Sequence, residues 1–365
     1  TYTNKAVSHV IANNLDRSPL YGGEIAGIGP RYCPSIEDKI VKFPDRDKHQ
    51  LFLEPESLSS ETIYVNGLST SMPLDVQRAM LDQIEGLKKS VIARPGYAVE
   101  YDFVQPSQLH ATLETQQVEG LYFAGQINGT TGYEEAAAQG LMGGINAALK
   151  ATKRAPLILS RSDSYIGILI DDLVTQGVDE PYRMFTSRAE YRLLLRIDNA
   201  DRRLTPYAFR LGLVSENLYR QFQKKWDRID TALGFLQKER LKKDSCSSKR
   251  LQDRFRVKAG DSLQQILRRP EVCIEDLGAI LQDQGLPLNR EEGLAVQTQI
   301  KYEGYIGQQI RDVERLSSLE ARPIPININY NHVAGLSRET VERLEKIKPG
   351  SLGQASRIPG ITPAA

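Results

Sequence analysis

Cys33 lies in a glycine-rich segment whose residue types suit a nucleophile at the start of a helix. Arg31 comes two residues before it, Pro34 follows it, and carboxylates stand at Glu37 and Asp38. Proline suits the first helical position, so the pattern predicts Cys33 as the N-cap. A thiol there, beside an arginine, has a lowered pKa and attacks as the thiolate. It would add to C6 of a pyrimidine and make C5 nucleophilic toward a one-carbon electrophile. The alternative is a small buried cysteine behind a turn.

A second segment joins an apolar run, a glycine-rich turn and an alanine-rich helix. The run ends at Ala124, glycines follow at Gly125, Gly129 and Gly132, and the predicted helix opens at Glu134. Glycines let a backbone approach a ligand, and a helix start favours negative charge. The segment therefore predicts a site for phosphate or for the anionic end of a reduced flavin ring. Spacing alone leaves open an ordinary strand-to-helix crossover with glycines in its turn.

A third segment, from Pro181 to Arg203, carries six arginines and three acidic residues. Ser187 and Glu190 have the spacing of a capping box, which predicts a helix from position 188. Three arginines would share one face of that helix: Arg188, Arg192 and Arg196. A row of guanidinium groups suits a phosphodiester backbone. The alternative is an exposed or ion-paired face that uses the acidic residues nearby.

Composition bounds these hypotheses. The 365 residues suffice for two or three compact units, and 40% hydrophobic with 25% charged residues is typical of a globular protein. A net charge of +1 means that any nucleic-acid surface must be a local patch. The three cysteines are far apart, which indicates neither a disulfide framework nor a zinc site and favours a reducing compartment. Cys246 and Cys273 have no motif around them and are interpreted as structural.

The elements that must position these residues differ between the two halves of the chain. Before position 150, short strand-like runs alternate with Gly, Pro and Asn turns, which is α/β or α+β texture. The predicted runs are Ile63 to Tyr64, Val91 to Ala93, Tyr97 to Val104 and Leu121 to Ala124. After position 150 the periodicity is helical, with a long charged helix predicted over Glu216 to Lys243.

The last thirty residues predict two helices joined by a Pro-Gly hairpin. The pattern from Ile358 to Pro363 resembles the turn of helix-hairpin-helix modules, whose backbone N–H groups meet phosphate. A plain helical turn is the alternative. An extended linker from Arg322 to Ile326 would separate this unit from the preceding helices.

The quoted segments together resemble the glucose-inhibited division protein A family, over almost the whole chain. The resemblance is strongest over residues 15–39, 94–103, 120–148, 181–204 and 300–305. It implies an α/β FAD/NAD-binding fold, part of a two-dinucleotide-binding-domain flavoprotein, followed by an all-α C-terminal domain. The implied divisions are residues 1–60 with the cysteine loop, 61–150 in the FAD domain, 151–322 helical and 323–365 a small helical unit.

The resemblance also implies site residues. Many related flavoproteins have an Asp at the position of Gln126. Gln at this position is usual in the family that the chain resembles. The expected FAD contacts are Gln126, Gly125, Asn128, Thr131 and Gly132. The expected NAD contacts are Gly29, Pro30, Arg31, Tyr32, Cys33, Pro34, Ser35, Ile36, Glu37, Asp38, Lys39 and Phe43. Cys33 is the expected catalytic nucleophile, and Arg188, Arg192 and Arg196 are the expected tRNA contacts.

The activity that the resemblance implies is addition of a carboxymethylaminomethyl-type group to C5 of the wobble uridine of tRNA. FAD, NADH and methylenetetrahydrofolate are the expected cofactors and co-substrate. A partner GTPase, a homodimer and a cytoplasmic location are also expected. Two alternatives are a folate-dependent tRNA uridine methyltransferase and a tRNA- and partner-binding fragment without activity. The fragment hypothesis follows from the missing strand–GxGxxG–helix unit with which the family opens.

Overall fold

The structure is a computed structural model that describes residues 1–23, 35–98, 101–243, 246–325, 327–358 and 360–361. Two compact units emerge from the contacts. The first comprises residues 1–108, 123–140 and 178–183, and the second comprises residues 109–122, 141–177 and 184–365. In the described part of the chain, no helix is both long and apolar enough to cross a membrane.

In the first unit, the described residues before position 108 form three short helices and one β-hairpin. They are α1 (Lys5–Ala12), β1 (Phe52–Pro55), β2 (Ile63–Asn66), α2 (Ile36–Lys42) and α3 (Leu74–Gln83). The helix α1 begins where the Asn4 side chain accepts the Val7 N–H, an N-cap. Val7 and Ile11, one turn apart, bury one face of α1 against Met80 in a shared core. The hairpin is antiparallel, with Leu53 opposite Val65.

Among the predicted strands, the run Ile63 to Tyr64 is confirmed as part of β2. The predictions at Val91 to Ala93 and Leu121 to Ala124 are wrong, and the described residues of Tyr97 to Val104 form no strand either. The reason is the lack of a neighbouring ladder within the described ranges. Tyr122 makes only an isolated bridge with Glu114, so the backbone N–H and C=O groups bond in turns instead.

The helix α4 (Tyr133–Ala151) confirms the prediction of a helix opening at Glu134, one residue earlier than expected. It ends where the sequence predicts a loop. The predicted domain divisions at 60, 150 and 322 stay predictions.

The second unit is helical after α4. Its further helices are α5 (Tyr165–Gln176), α6 (Ala200–Arg210), α7 (Glu216–Lys238), α8 (Cys246–Phe255), α9 (Leu263–Leu267), α10 (Gly278–Asp283), α11 (Arg290–Lys301) and α12 (Glu303–Glu320). The predicted long helix is therefore confirmed as α7, but it ends at Lys238 rather than Lys243. Its Ile229 and Leu236 are fully buried with Val296 of α11. Each such side chain contributes about 1.5–3 kcal/mol through burial.

The end of the chain forms the two predicted helices, α13 (Arg338–Ile347) and α14 (Leu352–Arg357). Val341, Leu344 and Ile358 contribute to a small core of their own. Lys348, just before the Pro-Gly pair, has a left-handed backbone with φ 50°. Pro359 and residues 362–365 lie outside the described residues, so the predicted helix-hairpin-helix turn is untested.

Candidate functional site

The glycine-rich turn of the first unit is a short 3₁₀ segment, Gly125–Asn128, followed by Gly129. Gly129 has φ 68°, a left-handed conformation that favours glycine. A Cβ there would also lie 2.6 Å from Cγ2 of Val178. The glycine is therefore required by the turn and by its close contact with residue 178.

A buried polar cluster holds this turn against the start of α4. The Gln139 Oε1 atom accepts the Gly125 N–H at 2.8 Å and the Asn128 Nδ2 group at 2.9 Å. Asn128 Nδ2 also donates to the Phe123 carbonyl at 2.9 Å. Three buried polar atoms of the cluster have no hydrogen-bond partner within the described residues: Asn128 Oδ1, Thr130 Oγ1 and Gln139 Nε2. A buried polar group of this kind calls for a ligand or an ordered water.

The predicted FAD contacts occupy this turn in different ways. Gln126 is exposed and Thr131 half-buried, so both present polar atoms to a ligand. Gly132 is buried, and a Cβ there would collide with the Glu135 carboxylate. The unpaired oxygens of Asn128 and Thr130 and the exposed amide of Gln126 fit a hydroxyl-rich, phosphorylated cofactor. The sequence did not single out Thr130 or Gln139, because their burial depends on how the turn folds.

The cysteine loop lies mostly outside the described residues. Gly29, Pro30, Arg31, Tyr32, Cys33 and Pro34 belong to that stretch. The helix that follows begins at Ile36 with Ser35 as its N-cap, so the prediction that Cys33 caps it is wrong. The Ser35 hydroxyl accepts the Asp38 N–H at 3.2 Å, and Asp38 Oδ2 accepts the Ser35 N–H at 3.2 Å. Ser35 is the N-cap because this capping box gives hydrogen-bond acceptors to both the Ser35 and the Asp38 N–H groups.

The other predicted NAD contacts divide into inward and outward residues. Ile36 is buried in the core, and Glu37 Oε1 accepts the Ser71 N–H at 2.8 Å. Asp38 Oδ1 accepts the Tyr21 hydroxyl at 2.9 Å. The outward residues are Lys39, whose ammonium donates to the Gly67 carbonyl at 3.1 Å, and Phe43, which is 52% exposed. These two line the cavity described next.

A cavity of about 570 Å³ opens at the C-terminal end of α2; we call it the basic pocket. It is lined by Tyr2, Asp38, Lys39, Lys42, Phe43, Arg46, Lys48, His49 and Gln50. Four of these side chains are cationic and one is a carboxylate. The sequence analysis missed this pocket, although the run from Lys42 to Lys48 carries three of its cations.

The arginine segment, Pro181 to Arg203, does not form the predicted helix. The backbone makes a 3₁₀ turn at Thr186–Arg188, then non-helical turns, and a second 3₁₀ turn at Ile197–Asn199. The prediction of one guanidinium face is therefore wrong. Glu190 does not act in a capping box, because its carboxylate accepts from Arg161 at 2.9 Å.

Most arginines of this segment are held by protein acceptors. Arg188 lies 3.6 Å from the Asp172 carboxylate, and Arg196 lies 3.0 Å from that of Asp198. Arg202 lies 2.9 Å from Asp230. Arg192 is exposed and makes no ion pair with the described residues. The stripe expected from the sequence is thus largely neutralised.

Behind this segment lies a buried ion-pair network in the second unit. Arg161 meets Asp172 at 2.6 Å and Asp171 at 3.0 Å, and Arg357 of α14 meets Asp171 at 2.9 Å. Burial opposes the charge of Arg161, but the neighbouring carboxylates, Asp172 foremost, outweigh it and raise its pKa. The network therefore has a structural role that joins α5 to the C-terminal helices.

Comparison with protein families gives three matches along the chain. Residues 1–155 match the model described as glucose inhibited division protein A. Residues 216–310 match the C-terminal helical domain of the tRNA modifying enzyme MnmG/GidA. Residues 312–365 match the C-terminal helical bundle of the same enzyme.

Known proteins agree with these matches. The chain is 53% identical over 367 residues to the tRNA uridine 5-carboxymethylaminomethyl modification enzyme MnmG of Thermodesulfovibrio yellowstonii. It is 54% identical over 370 residues to the enzyme of that name from Syntrophotalea carbinolica. All of the chain is covered, but it spans only 58% and 59% of the length of these relatives.

The solved structure of Aquifex aeolicus GidA in its form II crystal matches with a TM-score of 0.75 and 44% identity. The match covers 100% of this chain and 56% of that one. The first crystal form gives the same TM-score with 47% identity. The chain therefore belongs to the glucose-inhibited division protein A family, with part of an α/β FAD/NAD-binding fold followed by an all-α C-terminal domain.

Proposed function

We propose that this chain is part of a flavin-dependent enzyme that modifies the wobble uridine of tRNA. The reaction adds a carboxymethylaminomethyl-type group to C5, with methylenetetrahydrofolate as one-carbon donor and NADH as reductant. The observation that carries the proposal is identity above 50% over the whole chain to relatives named for this modification. The buried polar cluster around the glycine-rich turn supports it.

The turn supplies the residues that would hold FAD. Bound FAD would supply the redox chemistry of the one-carbon transfer. Gln126 presents its amide from the exposed side, and Asn128 Oδ1 offers an unpaired acceptor. Thr131 adds a hydroxyl, while Gly125 and Gly132 fix the course of the backbone. The Gln139 side chain orients Asn128 through its 2.9 Å hydrogen bond.

Cys33 is proposed as the nucleophile that adds to C6 of the uridine and releases it after C5 is substituted. NADH is proposed to contact the segment from Gly29 to Asp38, whereas the other two expected NAD contacts, Lys39 and Phe43, line the basic pocket. Of the three arginines that the sequence assigns to tRNA, Arg192 is the one we propose as an RNA contact. Arg188 and Arg196 are held by Asp172 and Asp198 instead.

The partner proposals follow from family membership. A GTPase partner is proposed to bind the C-terminal helices, and the protein is proposed to act as a homodimer in the cytoplasm. A folate-dependent methyltransferase is not proposed, because residues 216–365 match helical domains described for the tRNA modifying enzyme.

A second candidate is a tRNA- and partner-binding module without catalysis. The matches of residues 216–310 and 312–365 to helical domains favour it, because neither segment contains the glycine-rich turn that would hold FAD.

Flavin absorbance separates the two candidates. We expect the purified protein to bind FAD, and Gln126→Ala to weaken binding by about tenfold, the value of one lost polar contact near 1.4 kcal/mol. The exposed Gln116→Ala, outside the turn, is the matched control. A colourless protein that still retards tRNA on a gel would support the module.

Nucleoside mass spectrometry of tRNA tests the catalytic proposal. Cys33→Ser should abolish the modified uridine while leaving the thermal unfolding curve unchanged. Cys273→Ser is the control, because Cys273 is an exposed thiol in the second unit. Full activity of Cys33→Ser would rule out the nucleophile.

A further inference from the structure

Three of the four cations of the basic pocket make no ion pair with the described residues. Among the described residues, Lys39, Arg46 and Lys48 have no acidic group within ion-pair distance. The pocket's one carboxylate, Asp38, is already engaged by the Ser35 N–H and the Tyr21 hydroxyl. Uncompensated positive charge around a cavity attracts an anion.

Two aromatic side chains stand among these cations. Tyr2 is 46% exposed and Phe43 is 52% exposed. The Lys48 ammonium lies 4.8 Å from the centre of the Tyr2 ring, and the Arg46 guanidinium lies 5.4 Å from that of Phe43. Exposed aromatic rings next to cations are the combination on which nucleic-acid bases stack while phosphates are neutralised.

His49 provides an independent indication of a ligand. It lines the pocket and is only 8% exposed, yet its Nε2 has no hydrogen-bond partner among the described residues. Burial lowers the pKa of His49, and the charges of Lys39 and Arg46 lower it further. A lowered pKa favours the neutral imidazole, whose Nε2 can donate or accept one hydrogen bond.

We propose that the basic pocket binds a phosphodiester of the tRNA substrate, with a neighbouring base stacked on Tyr2 or Phe43. This rests on the proposed function and names where its RNA is held. An RNA strand fits better than a dinucleotide for a geometric reason. Dinucleotide phosphates usually meet backbone N–H groups at a helix N-terminus, whereas this pocket offers side-chain cations beside exposed aromatic rings.

The test measures the affinity for a fluorescently labelled, unmodified tRNA by fluorescence anisotropy. The salt concentration is held at about 150 mM, close to physiological ionic strength. The double variant Arg46→Gln/Lys48→Gln removes two exposed cations without touching the core. We expect affinity to fall about tenfold, because each lost phosphate contact removes counterion release. Phe43→Ala should weaken binding by roughly fivefold through lost stacking.

The matched control is Lys88→Gln/Lys89→Gln, which removes two exposed cations from the same unit outside the pocket. Equal loss in this control would overturn the proposal in favour of bulk charge, as would unchanged binding by the pocket variant. A parallel titration with NADH separates the other ligand. Loss of NADH binding with tRNA binding intact would overturn the RNA assignment.

The same proteins are assayed for uridine modification in the presence of excess tRNA. If the parent protein modifies uridine and the pocket variant binds tRNA as tightly as the parent, the pocket is not the RNA site. The proposed function would then still stand. A parent protein that does not bind tRNA would overturn both.

Discussion

The basic pocket holds four cations and the arginine segment holds six, and the two regions differ in how many of these charges are paired with carboxylates. In the segment, Arg188, Arg196 and Arg202 each meet a carboxylate. In the pocket, Arg46 and Lys48 stand over aromatic rings and meet none. This difference shows that a row of arginines in a sequence is weak evidence for RNA binding. What matters is whether tertiary neighbours leave the charge uncompensated.

Burial explains the ion pairing in the network behind the segment. Arg161, behind it, is 12% exposed and Asp172 is 4% exposed, so neither could be charged there without the other. Arg203 donates to the Asn199 side chain at 3.0 Å and to the Arg196 carbonyl at 3.1 Å. These arginines tie loops together. In the pocket, by contrast, Arg46 and Lys48 are exposed and make no ion pair with the described residues.

The largest effect is expected from the buried network. Arg161→Gln leaves Asp171 and Asp172 without their shared cation and should lower the free energy of unfolding by about 3 kcal/mol. Urea denaturation measures it. The exposed Arg220→Gln, which removes an i,i+4 pair with Glu216, should change stability by about 0.5 kcal/mol or less. Equal effects of the two would show that the network contributes no more than a surface pair.

The next largest effect tests whether Arg196 of the segment stabilises the fold rather than contacting tRNA. Arg196→Gln removes a side chain that is 14% exposed and paired with Asp198, and should cost about 1.5 kcal/mol of unfolding free energy. Its tRNA affinity should match that of the parent protein when both are measured below their melting temperatures. A loss of RNA affinity without loss of stability would restore the predicted tRNA contact.

Arg192 is an exposed arginine of the segment that makes no ion pair with the described residues, so it is the exception to the compensated arginines. Arg192→Ala should weaken tRNA binding by about threefold and leave stability within roughly 0.5 kcal/mol of the parent. Gel retardation with the same tRNA measures the affinity. Binding equal to that of the parent would rule out Arg192 as an RNA contact.

The smallest effect concerns the hydrogen bond from the Tyr21 hydroxyl to Asp38, the carboxylate of the basic pocket. Burial, with the hydrogen bond to Asp38, raises the pKa of Tyr21 to about 12 from 10.0. A raised folded-state pKa means that this contact stabilises the protein fully below pH 10 and is lost as the pH rises toward about 12. The ultraviolet titration of the parent protein minus that of Tyr21→Phe should show one phenol ionising near pH 12. Ionisation near pH 10 would mean that Asp38 is free to neutralise a neighbouring lysine.

Local features were predictable from the sequence, and tertiary ones were not. The helix at Glu134 and the pair α13 and α14 follow from periodicity and punctuation within a few residues. The capping box predicted from Ser187 and Glu190 failed because Glu190 pairs with Arg161, 29 positions away. The strand predictions at 91 and 121 failed for the same reason, since a strand requires a partner.

The candidate site shows the same division. The glycine-rich turn was found because its residues are adjacent in the chain, and the family resemblance covers it. Gln139, which holds Asn128, and His49, whose burial leaves Nε2 unpaired, gave no signal of their own. The pocket brings Tyr2 to residues 38–50, a juxtaposition that spacing alone does not reveal.

The most direct test of the comparison is the salt dependence of tRNA binding, measured side by side for two double variants. Arg46→Gln/Lys48→Gln should reduce the slope of log affinity against log salt by about 1 to 2, one lost phosphate contact per cation. Arg196→Gln/Arg202→Gln removes the same charge from compensated positions and should leave the slope unchanged. A slope that falls for the second variant and not for the first would contradict the account.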